Sequence, residues 1–216
     1  MSKDYSEDQL IQKSAADLLE KELGWTSVMA WDAEVLGETG TLGRKSYHEV
    51  LLVRHFCKAL KTLNPWMTEK QLAEAVERMT ERMSSQTLMQ INEEKYQYIK
   101  DGIPVTRTKP NGETEEVKAK VIDFASPEKN EFMCVRELWV YGSLYRRRAD
   151  IVGFVNGIPL LFMELKNHDV EVVDAFNKNY RDYLDTIPQL FYHNAFIMFS
   201  NGLEARVGTI DSKWEF

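Results

Sequence analysis

The stretch from Asp150 to Lys166 places charged residues at both ends of two strongly apolar runs. The runs, IVGFV and IPLLFM, have the composition of buried strands, and the Asn156-Gly157 pair between them is a hairpin turn signal. Asp150 stands before the first run, while Glu164 and Lys166 follow the second. Because burying unpaired charges is costly, the sequence predicts that these three side chains are used together.

The register of this hairpin decides whether the two carboxylates can meet. A simple two-residue turn at Asn156-Gly157 would place Asp150 opposite Met163, and Glu164 would point to the other face of the sheet. One additional residue in the loop, with Gly157 in the left-handed conformation, would instead place Asp150 opposite Glu164. We therefore predict a longer, bulged loop, or an equivalent irregularity elsewhere in the strand pair.

If the three charged residues converge, they can support hydrolysis at a phosphate. Asp150 and Glu164 would supply oxygen ligands to Mg²⁺, which usually keeps several of its waters in proteins, and the carbonyl of Leu165 could add another oxygen. Lys166 could orient or help to deprotonate an attacking water and stabilise charge on a phosphate. A solvated strand end would carry the same charges, and this pattern alone favours neither interpretation.

The composition is that of a globular protein without a membrane segment. Of the 216 residues, 44% are apolar and 28% are charged, which is ordinary for such proteins. No apolar run approaches the roughly 20 residues that span a bilayer, and the polar N-terminus does not resemble a secretory signal. The two cysteines are too few for a disulfide framework. We therefore expect a cytoplasmic protein with no membrane partner.

The net charge of −7 argues against tight DNA binding by this chain alone, because autonomous DNA-binding proteins usually have a basic surface. The clearest basic cluster is Arg146-Arg147-Arg148, directly before Asp150. Any contact with nucleic acid is therefore expected to be local, or to be assisted by another protein or domain.

Periodicity predicts a mixed α/β (α+β) architecture. Helical spacing indicates four helices at 7–23, 46–63, 68–82 and 85–99, the first with Ser6 as its N-cap. Strand patterns cover 103–108, 117–124 and 132–141 before the hairpin, and a helix over 170–185 and strands at 195–199 and 204–209 follow it. This order predicts a mixed β-sheet flanked by helices.

Several long segments resemble one family. RRRADIVGFVNGIPLLFMELKN resembles the core of the PD-(D/E)xK nuclease superfamily. SEDQLIQKSAADLLEKELGW, GTLGRKSYHEVLLVRHFCKALKTLNPWMTE and YRDYLDTIPQLFYHNAFIMFSNGLEARVGTI resemble the first helix, the helical insertion, and the closing helix and strands of the N-terminal endonuclease domain of the restriction (R) subunit of type I restriction–modification enzymes. The resemblance extends over most of the chain.

This resemblance implies a fold and a function. Residues 1–216 would form one endonuclease domain with a restriction-endonuclease-like fold, in which a nuclease core over about 7–24 and 100–210 carries a helical insertion over about 46–99. The domain would be a fragment of a longer subunit and would cleave double-stranded DNA with Mg²⁺. ATP would act only through motor domains outside the fragment, and the modification and specificity subunits would be its partners.

The resemblance also assigns residues. Asp150, Glu164 and Lys166 match the catalytic motif, although Ala149 stands where the family often has proline. Gln12 occupies the position of an acidic residue of the first helix that often supports the metal.

Two further sets of residues are candidates for supporting roles. Asn179 and Tyr183 match a Q-x-x-x-Y motif, with Asn in place of Gln, and would share one helical face. Arg146, Arg148 and Arg181 are candidates for positioning contacts with DNA phosphates, although the first two would also suit a solvated strand end.

Two alternatives to this function remain open at this point. The neutral residues Gln12 and Asn179 would suit a catalytically degenerate scaffold domain of the same complex, whereas the intact motif triad argues against it. A stand-alone nuclease that works without ATP would carry the same triad.

Overall fold

A six-stranded mixed sheet forms the centre of the computed structural model, which describes residues 7–82 and 85–214, with side chains from residue 11 onward. Its strands lie in the order β1, β4, β5, β6, β7, β8, which span Thr26–Met29, Phe132–Tyr141, Arg146–Val155, Ile158–Leu165, Phe196–Ser200 and Ala205–Gly208. β1 is parallel to β4 and β6 is parallel to β7, whereas the other neighbours are antiparallel. A separate antiparallel pair is formed by β2 and β3, at Ile103–Thr108 and Thr114–Ala119.

Helices surround the main sheet. α1 to α4 span Glu7–Leu23, Val53–Leu63, Glu69–Thr80 and Leu88–Asp101. A later helical run consists of α5 (Val172–Asp174), a π-helical segment (Ala175–Tyr180) and α6 (Arg181–Thr186), and short 3₁₀ turns lie at Pro127–Lys129 and Pro188–Phe191. None of the described helices is long and apolar enough to cross a membrane. The predicted mixed sheet flanked by helices is confirmed; Ser6, the predicted N-cap, lies outside the described residues.

The helix predicted over 46–63 begins only at Val53. Buried Arg44 holds the preceding segment as a loop, since its guanidinium pairs with Glu34 and donates to the carbonyls of Glu49 and Trp139. These interactions satisfy the buried charge and replace the hydrogen bonds that a helix would make there.

The strand predicted over 117–124 is instead β3, which ends at Ala119. Buried Asn64 explains this boundary, because its side chain bonds to both the amide and the carbonyl of Lys120 at 2.9 and 2.7 Å. The backbone amide and carbonyl of Lys120 are therefore hydrogen-bonded to Asn64, the C-cap of α2, rather than to a strand partner.

Three hydrophobic clusters position the sheet. The largest lies between the sheet and the helical run at 172–186, and a smaller one lies between α1 and the opposite face. The third joins α2, α3, α4 and the β2–β3 pair to the turn of the β5–β6 hairpin, through residues such as Phe56 and Ile158. The β2–β3 pair therefore packs with the helices of the predicted insertion, and the domain boundaries themselves stay a prediction.

Candidate active site

The β5–β6 hairpin turns through two residues. Val155 pairs with Ile158, and the intervening Asn156 and Gly157 have φ angles of 52° and 78°, as a type I′ turn requires. The buried side chain of Asn156 secures the turn by accepting a hydrogen bond from the amide of Glu131 at 2.8 Å and donating to two further oxygens. The predicted longer loop is therefore wrong, because Asn156 stabilises the tight turn.

The predicted irregularity elsewhere in the strand pair is confirmed. The register of β5 and β6 shifts between Gly153 and Phe154, and β6 has one extra residue there, Leu160. Continued to the open end of the hairpin, the shifted register places Asp150 opposite Glu164. The bulge thus brings the two predicted acids to the same end of adjacent strands.

Hydrogen bonds fix the carboxylate of Asp150 at both oxygens. Oδ1 accepts a hydrogen bond from the side-chain amide of Gln12 at 2.9 Å, and Oδ2 accepts one from the amide of Leu165 at 2.7 Å. On the neighbouring strand, Lys166 Nζ lies 2.9 Å from Oε1 of Glu164. The structure therefore brings Asp150, Glu164 and Lys166 together, with Gln12 reaching them from α1.

Burial and mutual repulsion disfavour ionisation of the two acids. Burial, and then the charge of Glu164, raise the pKa of Asp150 well above its usual range, and the Leu165 amide and Lys166 only partly oppose this. Burial also raises the pKa of Glu164, while Lys166 acts in the opposite direction. A positive charge placed between the acids would favour the ionised form of both.

The residues present fit a hard divalent cation. Glu164 is only 2% exposed, and its Oε2 has no hydrogen-bond partner within the described part of the chain; such orphaned buried oxygens are uncommon. The described residues contain no group of three or more His, Cys, Asp or Glu side chains placed to hold a metal. A cation here would therefore rely on two carboxylates, as Mg²⁺ often does, and on waters or main-chain oxygens; the carbonyl of Leu165 as a ligand stays a prediction.

Two of the three predicted supporting residues reach the site. Gln12 is buried and donates to Asp150, so it acts as a hydrogen-bond partner there. The Tyr183 hydroxyl donates to the carbonyl of Arg148 at 2.9 Å and lies against Glu164, whose ionised form it favours. Burial raises the pKa of Tyr183, which keeps this hydroxyl protonated.

Asn179, the third supporting candidate, has no side-chain hydrogen bond to the other site residues. It lies in the π-helical segment Ala175–Tyr180, and its side chain forms no hydrogen bond with any other described residue. A π-helical turn is wider than an α-helical one, and the shared face predicted for Asn179 and Tyr183 from α-helical spacing stays a prediction.

The arginines predicted to contact phosphate have different environments. Arg148 Nε lies 2.5 Å from Oε2 of Glu137, and Arg146 lies over the ring of Trp139 at 5.2 Å from its centroid. Arg181, in α6, lies over the ring of Phe176. Arg148, two residues before Asp150, is thus held by an ion pair, and phosphate contact by any of the three arginines stays a prediction.

Glu137 was missed by sequence reasoning. It lies in β4 between the pairs Arg136–Ile151 and Leu138–Ala149, so it faces Asp150 across the ladder. It is 4% exposed and has a φ of 57°, which is unusual for a residue other than glycine. The available signal was that Glu137, next to Arg136, is the one acid between two apolar runs, FMCV before the pair and LWVY after it.

Comparison with known proteins finds one matching family model and several relatives. The family model described as type I restriction enzyme R protein N terminus matches residues 4–216. A putative type I restriction enzyme MjaIXP endonuclease subunit of Methanocaldococcus jannaschii is 31% identical over 215 residues, which is 97% of this chain and 20% of that protein. The type I restriction enzyme HindI endonuclease subunit of Haemophilus influenzae is 30% identical over 197 residues, 89% of this chain and 18% of that protein.

The chain thus spans about a fifth of the length of these relatives. The family match covers nearly the whole sequence, including Asp150, Glu164 and Lys166. The chain belongs to the family of type I restriction enzyme R protein N-termini.

Proposed function

We propose that this chain is a Mg²⁺-dependent endonuclease domain that cleaves phosphodiester bonds of double-stranded DNA within a type I restriction–modification complex. The observation that carries the proposal is the convergence of Asp150 and Glu164 from adjacent strands, with Lys166 paired to Glu164. The relatives are named as endonuclease subunits, which supports a nuclease role.

Each residue of the site would have a distinct task. Asp150 and Glu164 would hold Mg²⁺, and Leu165 is the candidate for a main-chain ligand; the ion would supply Lewis-acid activation and neutralise charge on the phosphate. Lys166 would lie beside the phosphate, where its ammonium group can stabilise developing negative charge. Gln12 and the Leu165 amide would keep the Asp150 carboxylate in place, which lowers the reorganisation needed during the reaction.

The rest of the reaction would depend on other parts of the enzyme. Motor domains outside this chain would use ATP to translocate DNA, and the modification and specificity subunits would supply site recognition in the cytoplasm. This division of labour accounts for the acidic charge of −7, because the DNA would be delivered to the domain. Arg146, Arg148 and Arg181 would then serve as local phosphate contacts.

One observation favours a second candidate, a catalytically degenerate scaffold domain. The neutral side-chain amide of Gln12 donates a hydrogen bond to Asp150, while the Asn179 side chain forms no hydrogen bond with the acids among the described residues. The paired Glu164 and Lys166 argue against degeneracy, because a site without function has no need for an unpartnered buried carboxylate oxygen.

Cleavage assays on the assembled complex separate these candidates. In the full-length subunit, Asp150→Ala and Lys166→Ala are each expected to lower the Mg²⁺-dependent cleavage rate of plasmid DNA by about 10³-fold or more. Asp185→Ala and Lys70→Ala, at exposed positions, should leave the rate unchanged. Cleavage that survives both active-site substitutions would contradict the catalytic assignment, and ATP-independent cleavage by the 216-residue chain would favour a stand-alone nuclease.

A further inference from the structure

We propose that Glu137 is a positioning residue of this active site that acts through Arg148, and that Trp31 and Trp139 complete the arrangement. Arg148 would present its outer edge to a phosphate of the DNA strand that is cut. This inference rests on the proposed nuclease function and adds to it a buried acid and a guanidinium clamp that the D…E-x-K motif does not contain.

The backbone at Glu137 is shaped for this position. Met133 and Val135 of β4 pack into the large hydrophobic cluster, but after Glu137 the inward residues are Leu138 and Val140. The alternation of side chains therefore breaks at Glu137, whose left-handed φ of 57° is costly for a residue with a β-carbon. Such strain persists only where the surrounding structure imposes it, and it is found most often at functional sites.

The carboxylate of Glu137 requires a cation. It is buried on β4 across from Asp150 of β5, and a buried carboxylate is costly without a positive partner. Arg148 supplies the positive charge, with Nε at 2.5 Å from Oε2. That oxygen nevertheless receives no aligned hydrogen bond from any described residue, so charge attraction holds the pair.

Two indole rings hold the guanidinium in place. Its central carbon lies 4.7 Å from the ring centroid of Trp31 and 5.7 Å from that of Trp139, distances typical of cation–π contacts. The carbonyl of Arg148 also accepts the Tyr183 hydroxyl. The main chain, the Nε atom and the guanidinium group of Arg148 are thus held in place, two residues before Asp150 on the same strand.

The outer edge of Arg148 remains open. The side chain is 38% exposed, and neither terminal amino group has a hydrogen-bond partner among residues 7–82 and 85–214. A guanidinium held by one nitrogen and two aromatic faces can still offer two parallel donors to a phosphate oxygen pair. Glu137 would therefore preorganise Arg148, and loss of its charge would leave the clamp free to move.

A double-mutant cycle in the full-length subunit, assembled with its partner subunits, tests this coupling. We expect Glu137→Gln and Arg148→Gln each to lower the single-turnover rate of DNA cleavage by about 10- to 100-fold. The double variant should be no slower than the slower single variant, because both changes remove one arrangement. ATP hydrolysis by the complex should stay unchanged, which shows that assembly and translocation are intact.

The outcomes distinguish this inference from the proposed function. If Asp150→Ala fails to abolish cleavage, the nuclease assignment itself is wrong. If Asp150→Ala abolishes cleavage but the two glutamine variants have additive effects, or Glu137→Gln cleaves at the normal rate, then Glu137 does not act through Arg148.

If Glu137→Gln does not fold, Trp31→Ala provides a second test of whether Arg148 is held in place for cleavage. Trp31 is 38% exposed, so Trp31→Ala leaves the core intact while removing one face of the clamp. It should slow cleavage several-fold in the wild-type background and have no further effect together with Arg148→Gln. An equal slowing in both backgrounds would overturn the proposal.

Discussion

The helical unit and the candidate catalytic end of the sheet, around Glu137, Asp150 and Glu164, differ in how well their local sequence signals agree with their structure. In the helical unit, formed by α2, α3, α4 and the β2–β3 pair, α3 and α4 each begin with a capping box, at Thr68 with Gln71 and at Thr87 with Gln90. Its core contains a hydrophobic cluster in which Phe56 is fully buried. Except at the start of α2 and the end of β3, local sequence signals and tertiary packing agree in this unit, which is the pattern expected of a region selected for stability.

The catalytic end of the sheet departs from this pattern. Glu137 has a left-handed backbone, a bulge at Leu160 shifts the register, and Asp150 and Glu164 place two repelling acids side by side. Each departure costs stability, and each serves to bring charged groups together. We therefore expect the helical unit to supply the stability that the catalytic end gives up.

The largest effect should come from the core of the helical unit. Phe56→Ala is expected to lower the free energy of unfolding by about 3–5 kcal/mol, because it removes a fully buried ring and leaves a cavity. Phe124→Ala, at a ring that is 63% exposed, should change stability by no more than about 0.5 kcal/mol. Urea denaturation of the 216-residue chain measures both, and equal effects would show that the helical unit is not a source of stability.

At the catalytic end, a substitution should stabilise. Because the pKa of Asp150 is raised in the folded state, its contribution to stability is present at low pH and is lost as the pH rises through that raised pKa. Asp150→Asn should therefore be more stable than the wild type near neutral pH without divalent cations, by an amount on the order of 1 kcal/mol. The Gln12 amide can flip to accept from the new side chain, so both hydrogen bonds can be kept.

Denaturation at several pH values checks this expectation. The difference between Asp150→Asn and the wild type should shrink toward acidic pH, whereas Asp185→Asn, at an exposed position, should show no such trend. A loss of stability in Asp150→Asn at neutral pH would mean that the site is not under electrostatic strain.

The helix caps should give the smallest effects. Thr68→Ala and Thr87→Ala each remove a capping hydroxyl and are expected to cost about 1 kcal/mol. Thr62→Ala is a matched control, since this exposed hydroxyl only bonds back to the carbonyl of Lys58. Thermal unfolding would rank the three variants, and cap variants no worse than the control would weaken the claim that local signals stabilise this unit.

What the sequence could predict does not follow this division between the two regions. The strand at 132–141 and the helix after Thr68 follow local patterns and were predicted closely. The start of α2 and the end of β3 were not, because Arg44 and Asn64 bind backbone groups distant in sequence. Such tertiary bonds override local periodicity and leave no signal in it.

The candidate site was also predictable only in part, because some of its residues stand out in the local sequence and others depend on tertiary contacts. Asp150, Glu164 and Lys166 stand out because charges flank apolar strands, and the register argument required an irregularity that the bulge supplies. Glu137 gave only the weak signal of one acid in an apolar run, and its pairing with Arg148 depends on the alignment of β4 with β5. The π-helical segment that contains Asn179 has no recognisable pattern in the sequence.

The central claim is that Asp150 and Glu164 form a site for a divalent cation. The most direct test is the melting temperature of the 216-residue chain with and without Mg²⁺, at matched ionic strength, between about pH 5 and pH 8. Since a cation needs both acids ionised and their pKa values are raised, Mg²⁺ should stabilise the wild type increasingly as the pH rises. The account predicts no such increase in Asp150→Asn or Glu164→Gln; an equal Mg²⁺ effect in those variants, or none in the wild type at pH 8, would contradict it.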